Sequence, residues 1–266
     1  MQPIYLVDFL QKTMILSSSE QTSKGEDMED KGLAIVTGAT GGIGRSVSMG
    51  LAEDGYRVVL IARDIGALNS VREQILSSGK FTYEPVVLPS DITDTGKLAA
   101  EIGNLVDQYG PIDVLFNSAA LFIDGTTECS VDDFRKLFET NIIAQYGIMK
   151  SVLEIMMREK SGYVFNVASR AGTYGFPGGG AYGSTKFALV GLTDSLYREY
   201  APQGIRFTSL CPGWVNTEMA KEAGTPFRDE EMIQPEDILK TVRYLLGLSG
   251  NICIREIVIE MKKSII

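Results

Sequence analysis

The 266-residue chain contains no histidine. Without an imidazole there can be no Ser-His-Asp catalysis and no histidine-ligated metal. Cysteine is scarce as well. Cys129, Cys211 and Cys253 are odd in number, far apart and without Cys-x-x-Cys spacing. They read as buried apolar residues in a reducing compartment, with no disulfide or metal expected. No apolar run approaches the ~18–20 residues of a membrane span. Positive charge is in deficit, 25 Lys and Arg against 34 Asp and Glu, for a net charge of −9. That balance argues against non-specific binding of nucleic acid or an anionic membrane, so any anion site must be local. A cytoplasmic protein is the expectation.

What the chain does have is enough apolar residue, 44%, to bury a full core in one domain. Residues 1–30 stand apart. Short apolar patches (Ile4-Tyr5-Leu6-Val7 and Met14-Ile15-Leu16) are followed by three serines and an acidic stretch ending Glu26-Asp27-Met28-Glu29-Asp30. Asp8 interrupts the first patch and no basic run precedes it, so a secretory signal is not expected. This segment reads as a flexible N-terminal extension to a single domain over 31–266. From Leu33 onward, apolar runs at 33–37, 57–62, 84–88, 112–116, 162–168, 205–210 and 252–259 alternate with amphipathic segments at 43–54, 66–78, 94–109, 131–157, 181–200 and 235–248. Strands rich in Val, Ile and Leu without strict alternation are buried on both faces. With helices between them they predict an α/β fold, a Rossmann-like doubly wound parallel sheet of about seven strands.

Thr37-Gly38-Ala39-Thr40-Gly41-Gly42-Ile43-Gly44 lies between the first strand and the first helix. Glycines there let the backbone turn sharply and approach a pyrophosphate, while the helix N-terminus offers free amides and a positive dipole. The order is Gly-x-x-x-Gly-x-Gly, with Gly41 additional, and not Gly-x-Gly-x-x-Gly. The second strand ends at Ala62-Arg63-Asp64, about 20 residues on, where a carboxylate would bind a ribose 2′-hydroxyl or an arginine a 2′-phosphate. Both types stand in adjacent positions, so the residues alone leave NAD(H) and NADP(H) open. Asp91, followed by Ile92, could bond an adenine amino group or cap a helix near Thr93. Small residues after Asn117 (Ser118, Ala119, Ala120) would permit close approach of a cofactor or simply suit a buried turn.

With imidazole excluded, acid/base chemistry needs another group. Tyr182 and Lys186 are one helical turn apart, 13 residues after Ser169. A phenol with an unperturbed pKa of about 10 exchanges protons near neutrality only if its phenolate is stabilised, and an ammonium four residues along a helix lies on the same face. The spacing alone is weak: chance gives roughly half a match at typical lysine usage, and Tyr146 and Lys150 repeat it. An apolar strand ending in a serine precedes only the Tyr182 pair.

These residues together resemble the short-chain dehydrogenase/reductase family over about residues 31–260. The resemblance rests on the Thr-Gly-x-x-x-Gly-x-Gly loop, Asn117-Ser118-Ala119-Ala120, Asn141, Ser169, Tyr182, Lys186 and Pro212-Gly213-Trp214-Val215-Asn216-Thr217. It implies that Tyr182 is the acid/base, Lys186 lowers its pKa and binds the nicotinamide ribose, Ser169 polarises the carbonyl and Asn141 holds a proton-relay water. Gly38, Thr40, Gly41, Gly42, Ile43, Gly44, Arg63, Asp91, Ile92, Asn117, Ser118 and Ala119 would bind cofactor, as would Tyr182 and Lys186. Pro212, Gly213, Val215 and Thr217 would meet its nicotinamide end. NAD-preferring relatives usually carry an acidic residue where Ala62 stands, and NADP-preferring ones often an arginine at the position of Arg63, which favours NADP(H). Helices 131–157 and 181–200 would form a dimer or tetramer interface, and residues 218–234 resemble the substrate loop.

The reaction implied is hydride transfer between the cofactor and a ketone, aldehyde or alcohol. One alternative is a 3-oxoacyl-[acyl-carrier-protein] reductase. The final strand lacks the Val-Asp-Gly-Gly ending common there, and of two basic docking positions Lys160 is present while the other is Gln203. A non-catalytic dinucleotide sensor or scaffold is the alternative from a different class. The substrate is not readable from the sequence.

Overall fold

The structure, a computed structural model, describes residues 31–264; the extension expected at 1–30 lies outside them. Strands β1 (Leu33–Thr37), β2 (Arg57–Ala62), β3 (Val86–Pro89), β4 (Ile112–Asn117), β5 (Gly162–Val167), β6 (Ile205–Pro212) and β7 (Glu256–Ile259) form one sheet in the order β3-β2-β1-β4-β5-β6-β7. Every pairing is parallel. The intervening helices are α1 (Gly42–Glu53), α2 (Ile65–Ser78), α3 (Thr95–Tyr109), α4 (Val131–Phe138), α5 (Ala144–Glu159), α6 (Gly180–Tyr200), α7 (Glu218–Glu222) and α8 (Pro235–Leu246).

The continuous apolar strands are explained by burial on both faces. In β1, Ala34 and Val36 join a layer with Val47 and Leu51 of α1, Leu68 and Val71 of α2 and Ile238 and Val242 of α8. Their neighbours Leu33 and Ile35 enter the opposite layer with Leu98 and Ile102 of α3, Ile148 and Val152 of α5 and Leu189 of α6. Successive side chains of a strand point to opposite faces, so a doubly covered strand needs apolar residues at every position. Arg243 of α8 fixes the C-terminal end of α1 from outside: its Nε lies 2.8 Å from Asp54 Oδ2, and its guanidinium donates to Gly50 O at 3.0 Å.

Because β1 pairs with both β2 and β4, the chain reverses its winding direction there. The diverging connections leave a crevice beyond the C-terminal ends of these strands, where such sheets bind ligands.

Four sequence expectations are corrected here. The run expected over 84–88 is a strand over Val86–Pro89. The last strand begins only at Glu256, because the chain before it is tied to β6 by side chains: Thr208 Oγ1 donates to Ile254 O at 2.5 Å and Cys253 Sγ to Phe207 O at 3.1 Å. The helix expected over 131–157 is interrupted by a π turn at Glu139–Ile143 between α4 and α5. No helix among the described residues is long and apolar enough to cross a membrane. Of the cysteines, all free, only Cys211 is fully buried; Cys129 and Cys253 are half-buried, which corrects the uniform expectation.

Candidate active site

The C-terminal end of β5 delivers the first reactive group. Val167 ends the strand, and Ser169 follows in an extended conformation that caps a short 3₁₀ turn at Arg170–Gly172, its hydroxyl accepting from Ala171 N at 3.1 Å. Tyr182 and Lys186 lie in the first turns of α6. Lys186 is 1% exposed; its Nζ donates to Val167 O at 2.9 Å and sits 5.5 Å from the centre of the Tyr182 ring. Phe122 packs edge-on against that ring at 5.1 Å. The lysine is thus held between the serine strand and the tyrosine helix.

Burial drives the titration of both residues. It pushes the Tyr182 phenol up to about 12, with the hydrogen bond from Ser169 acting in the opposite direction. Burial also pushes the Lys186 ammonium down to about 8. Removing both side chains from water disfavours their charged forms, and the ammonium is directed to a backbone carbonyl. The phenol stays protonated at neutral pH.

Asn141 sits in the π turn, fully buried. Its Nδ2 donates to Leu121 O at 2.9 Å and to Thr185 Oγ1 at 3.1 Å, while its Oδ1 accepts from Leu121 N at 2.8 Å. Thr185 in turn donates to Tyr182 O at 2.7 Å. Asn141 therefore joins the segment after β4 to the first turn of α6. Such π turns recur at functional sites because the extra residue re-aims a side chain. Tyr146 and Lys150, the competing pair, lie on α5 with Tyr146 49% exposed, away from any serine strand.

Under the crevice runs a buried polar row in which the sequence singled out Asn117, Ser118 and Ala119 but not Gln145, Asn166 or Thr193. Asn117 Nδ2 donates to Asn166 Oδ1 at 3.0 Å, and Asn166 Nδ2 to Thr193 Oγ1 at 2.9 Å. Thr37 Oγ1 accepts from Ser118 N at 3.2 Å and Ala119 N at 3.3 Å, while Ser118 Oγ donates to Thr37 O at 2.6 Å. Gln145 adds a bond from Nε2 to Ala119 O at 2.8 Å. The 117–120 turn is thereby pinned on three sides. The one available signal was a polar residue (Thr37, Asn117, Asn166) near the end of each apolar strand.

The glycine loop meets this turn. Gly38 has φ +65°, and a Cβ there would lie 2.7 Å from Ala119 N. A Cβ on Gly44 would lie 2.2 Å from Gly38 O. These positions accept only glycine, for conformational reasons at the first and for contact at the second. The N-terminus of α1 carries no side-chain cap and no acidic residue in its first turn. Its amides remain directed at the crevice, as a diphosphate would require. Thr217 caps α7 with its hydroxyl 3.4 Å from Ala220 N and bonded to Val215 O at 3.2 Å. Its methyl group faces Gly42, where a Cβ would lie 2.6 Å away, so 212–217 is brought over the loop.

At the far end of the crevice Arg63 and Asp64 differ in their local structure. Asp64 is the N-cap of α2, accepting from Ala67 N at 3.0 Å. Arg63 is exposed at the strand end. Asp91 accepts from Thr93 N and Oγ1 at 2.9 and 2.8 Å. Those bonds, backbone first, hold its carboxyl below the usual range, with the Arg63 charge adding to them. Ile92 is buried against the sheet.

Known proteins match this arrangement. The short chain dehydrogenase family model matches residues 32–226. An oxidoreductase of Staphylococcus epidermidis is 29% identical over 229 residues, which cover 86% of this chain and 96% of the relative. Among solved structures, a betaketoacyl-[ACP] reductase (FabG) from Bacteroides thetaiotaomicron is 60% identical with a TM-score of 0.81, over 89% of this chain and 99% of that one. An actinorhodin polyketide ketoreductase solved with NADPH is 28% identical with a TM-score of 0.80, over 87% and 96% of the two chains. With the strand-loop-helix turn, the parallel sheet and the Ser169, Tyr182 and Lys186 cluster in one crevice, this chain belongs to the short chain dehydrogenase family of oxidoreductases.

Proposed function

We propose that this chain is an NADP(H)-dependent carbonyl reductase in which Tyr182 donates a proton to the substrate oxygen. The observation that carries this reading is the convergence of the Ser169 hydroxyl, the Tyr182 phenol and the buried Lys186 ammonium at the end of β5. A phenol held protonated is an acid ready for reduction of a ketone or aldehyde. Ser169 stabilises charge developing on the carbonyl oxygen. Lys186 supports the phenolate left behind, and Asn141 fixes the turn of α6 that carries both.

The bound dinucleotide supplies the hydride at its nicotinamide ring. Gly38, Thr40, Gly41, Gly42, Ile43 and Gly44 would hold its diphosphate, Asn117, Ser118 and Ala119 would line its path, and Pro212, Gly213, Val215 and Thr217 would border the nicotinamide. Asp91 and Ile92 would border the adenine. Arg63 is free to meet a 2′-phosphate because its neighbour Asp64 is committed to capping α2. Residues 31–266 would act as one catalytic domain, with 218–234 as the substrate loop.

Cofactor selection tests Arg63 directly. Arg63→Glu is expected to lower the NADPH-over-NADH ratio of kcat/KM by about 10- to 100-fold, the cost of losing a charged hydrogen bond and gaining a repulsion. Equal use of both cofactors by the unaltered protein would contradict the assignment. The titration of Lys186 gives a pH prediction. Reduction should hold level at neutral pH and decline as pH rises through about 8, because the ammonium loses its proton there while the phenol keeps its own. A pH profile of kcat/KM checks this; Lys186→Met should abolish the limb along with most of the activity.

A second reading, reduction of a 3-oxoacyl thioester on a carrier protein, is favoured by the activity named for the 60% identical Bacteroides relative. Lys160 is exposed in the left-handed C-cap of α5, while Gln203 offers no charge beside it. Assembly through the helices at 131–157 and 181–200 is proposed as a homodimer or homotetramer. Its support is the exposed apolar face formed by Ile143 at 50%, Tyr146 at 49% and Phe187 at 45% exposure.

A further inference from the structure

We infer that residues Ile259–Lys263 form a clasp that holds the substrate loop against the catalytic serine, with Glu260 and Lys263 as positioning residues. The inference rests on the catalytic reading of Ser169 and Tyr182 and adds to it a determinant outside the catalytic set.

β7 ends at the same sheet edge as β5 and β6, since Ile259 pairs with Pro212. Over the five residues Ile259–Lys263, four engage three parts of the site. Ile259 O accepts from Gly213 N at 2.8 Å, fixing the start of the 212–217 segment. Glu260 Oε1 lies 2.5 Å from Arg170 Nε, the residue directly after Ser169, with both side chains about three-quarters buried. The Arg170 guanidinium also lies over the Tyr174 ring at 4.5 Å. Met261 is 4% exposed and belongs to the same apolar layer as Val215, Ala220, Met232 and Ile233. Lys263 Nζ reaches Glu231 Oε1 at 2.6 Å on that loop's short 3₁₀ turn.

The loop is otherwise braced mainly within itself. Lys221 pairs with Asp229 at 3.0 Å, Arg228 with Glu231 at 2.8 Å, and Gln234 Nε2 donates to Asp229 O at 2.8 Å. The isolated bridge from Val215 to Ile233 ties its far end. Bonds inside the loop give it shape; bonds from the clasp give it position relative to Ser169. An ending of Asp-Gly-Gly after the last strand would place glycine where Met261 stands, so the departure of this chain from that ending supplies the apolar member of the clasp.

Glu231 stays ionised far into acid, its carboxyl held at about 2 by Arg228 first and Lys263 second. The Lys263 contact therefore persists throughout the neutral range and weakens with salt, since exposed ion pairs are screened.

The test is amide hydrogen exchange across 218–232 of the full chain without cofactor, in the unaltered protein, Glu260→Gln and Lys263→Met, followed by steady-state kinetics. Each substitution is expected to speed exchange in 218–232 by about 1.5- to 5-fold, the scale of one lost ion-pair coupling. The carbonyl KM should rise by a similar factor, with kcat at saturation within about twofold and NADPH affinity unchanged. High sodium chloride should reproduce the faster exchange in the unaltered protein and in Glu260→Gln, where the Lys263–Glu231 pair remains, and add little in Lys263→Met. Unchanged exchange in 218–232, or acceleration spread evenly over the whole sheet, would overturn the clasp. An unaltered protein that turned over no carbonyl would sink the catalytic reading, while the exchange result would still decide the clasp.

Discussion

Tyr182→Phe is expected to lower kcat/KM for carbonyl reduction by about 10²- to 10⁴-fold, the range of a lost general acid. The substitution removes one oxygen and leaves the ring, so packing against Phe122 at 5.1 Å persists. Stability should hardly change, because the phenol is neutral at neutral pH and only its oxygen is lost. Cofactor affinity should stay within a few-fold for the same reason. Ser169→Ala should cost less, about 10²- to 10³-fold, as expected when one donor to a developing oxyanion is lost. Steady-state kinetics beside cofactor titration by fluorescence separates chemistry from binding. Less than a tenfold loss in the Tyr182→Phe protein would mean that another group delivers the proton.

The second large effect belongs to the glycine loop. Gly44→Ala places a methyl group 2.2 Å from Gly38 O and 2.8 Å from Ser118 Oγ. The first of these atoms is backbone and cannot rotate away, so the turn or the start of α1 must shift. Overpacking of this kind costs about 1–3 kcal/mol, which in a chain of this size lowers the melting temperature by roughly 2–4 °C per kcal/mol. The shift also moves the free amides of α1, so NADPH binding should weaken by at least about tenfold, as loss of a charged hydrogen bond would. Gly103→Ala is the matched control. It lies within α3 with nothing within 4 Å of its would-be Cβ, and alanine there should stabilise by up to about 1 kcal/mol. Thermal denaturation and cofactor titration of the two variants check the contrast. Equal behaviour would show that the loop tolerates displacement.

The features that were legible in the sequence are those governed by local rules. β1 and β2 fall where their apolar runs predicted, because a strand covered on both faces must be apolar throughout. Tyr182 and Lys186 were recoverable from helical spacing, and Ser169 from its place after an apolar strand. What depended on distant contacts was not legible. The π turn at Glu139–Ile143 leaves the apolar pattern of 131–157 intact, so nothing in that pattern marks the extra residue. The titration of Tyr182 and Lys186 follows from how much of each is removed from water, which only the packing of α6 on β5 determines. The pairing of Arg170 with Glu260 joins residues that are remote in sequence but emerge at the same sheet edge. Arg63 lay between these cases. Its position was visible, but its availability depended on Asp64 capping α2.

The most direct test of the account is oxidation of NADPH by the purified full chain, offered small ketones, sugars, steroids and 3-oxoacyl thioesters, with the Tyr182→Phe protein run in parallel. The account predicts carbonyl-dependent loss of NADPH absorbance, slower with NADH, that falls at least about a hundredfold in the variant. Selective turnover of the thioesters would identify the acyl substrate class within the same mechanism. Binding of NADPH with no turnover of any carbonyl, unchanged by Tyr182→Phe, would contradict the catalytic assignment and leave a dinucleotide-binding protein without chemistry.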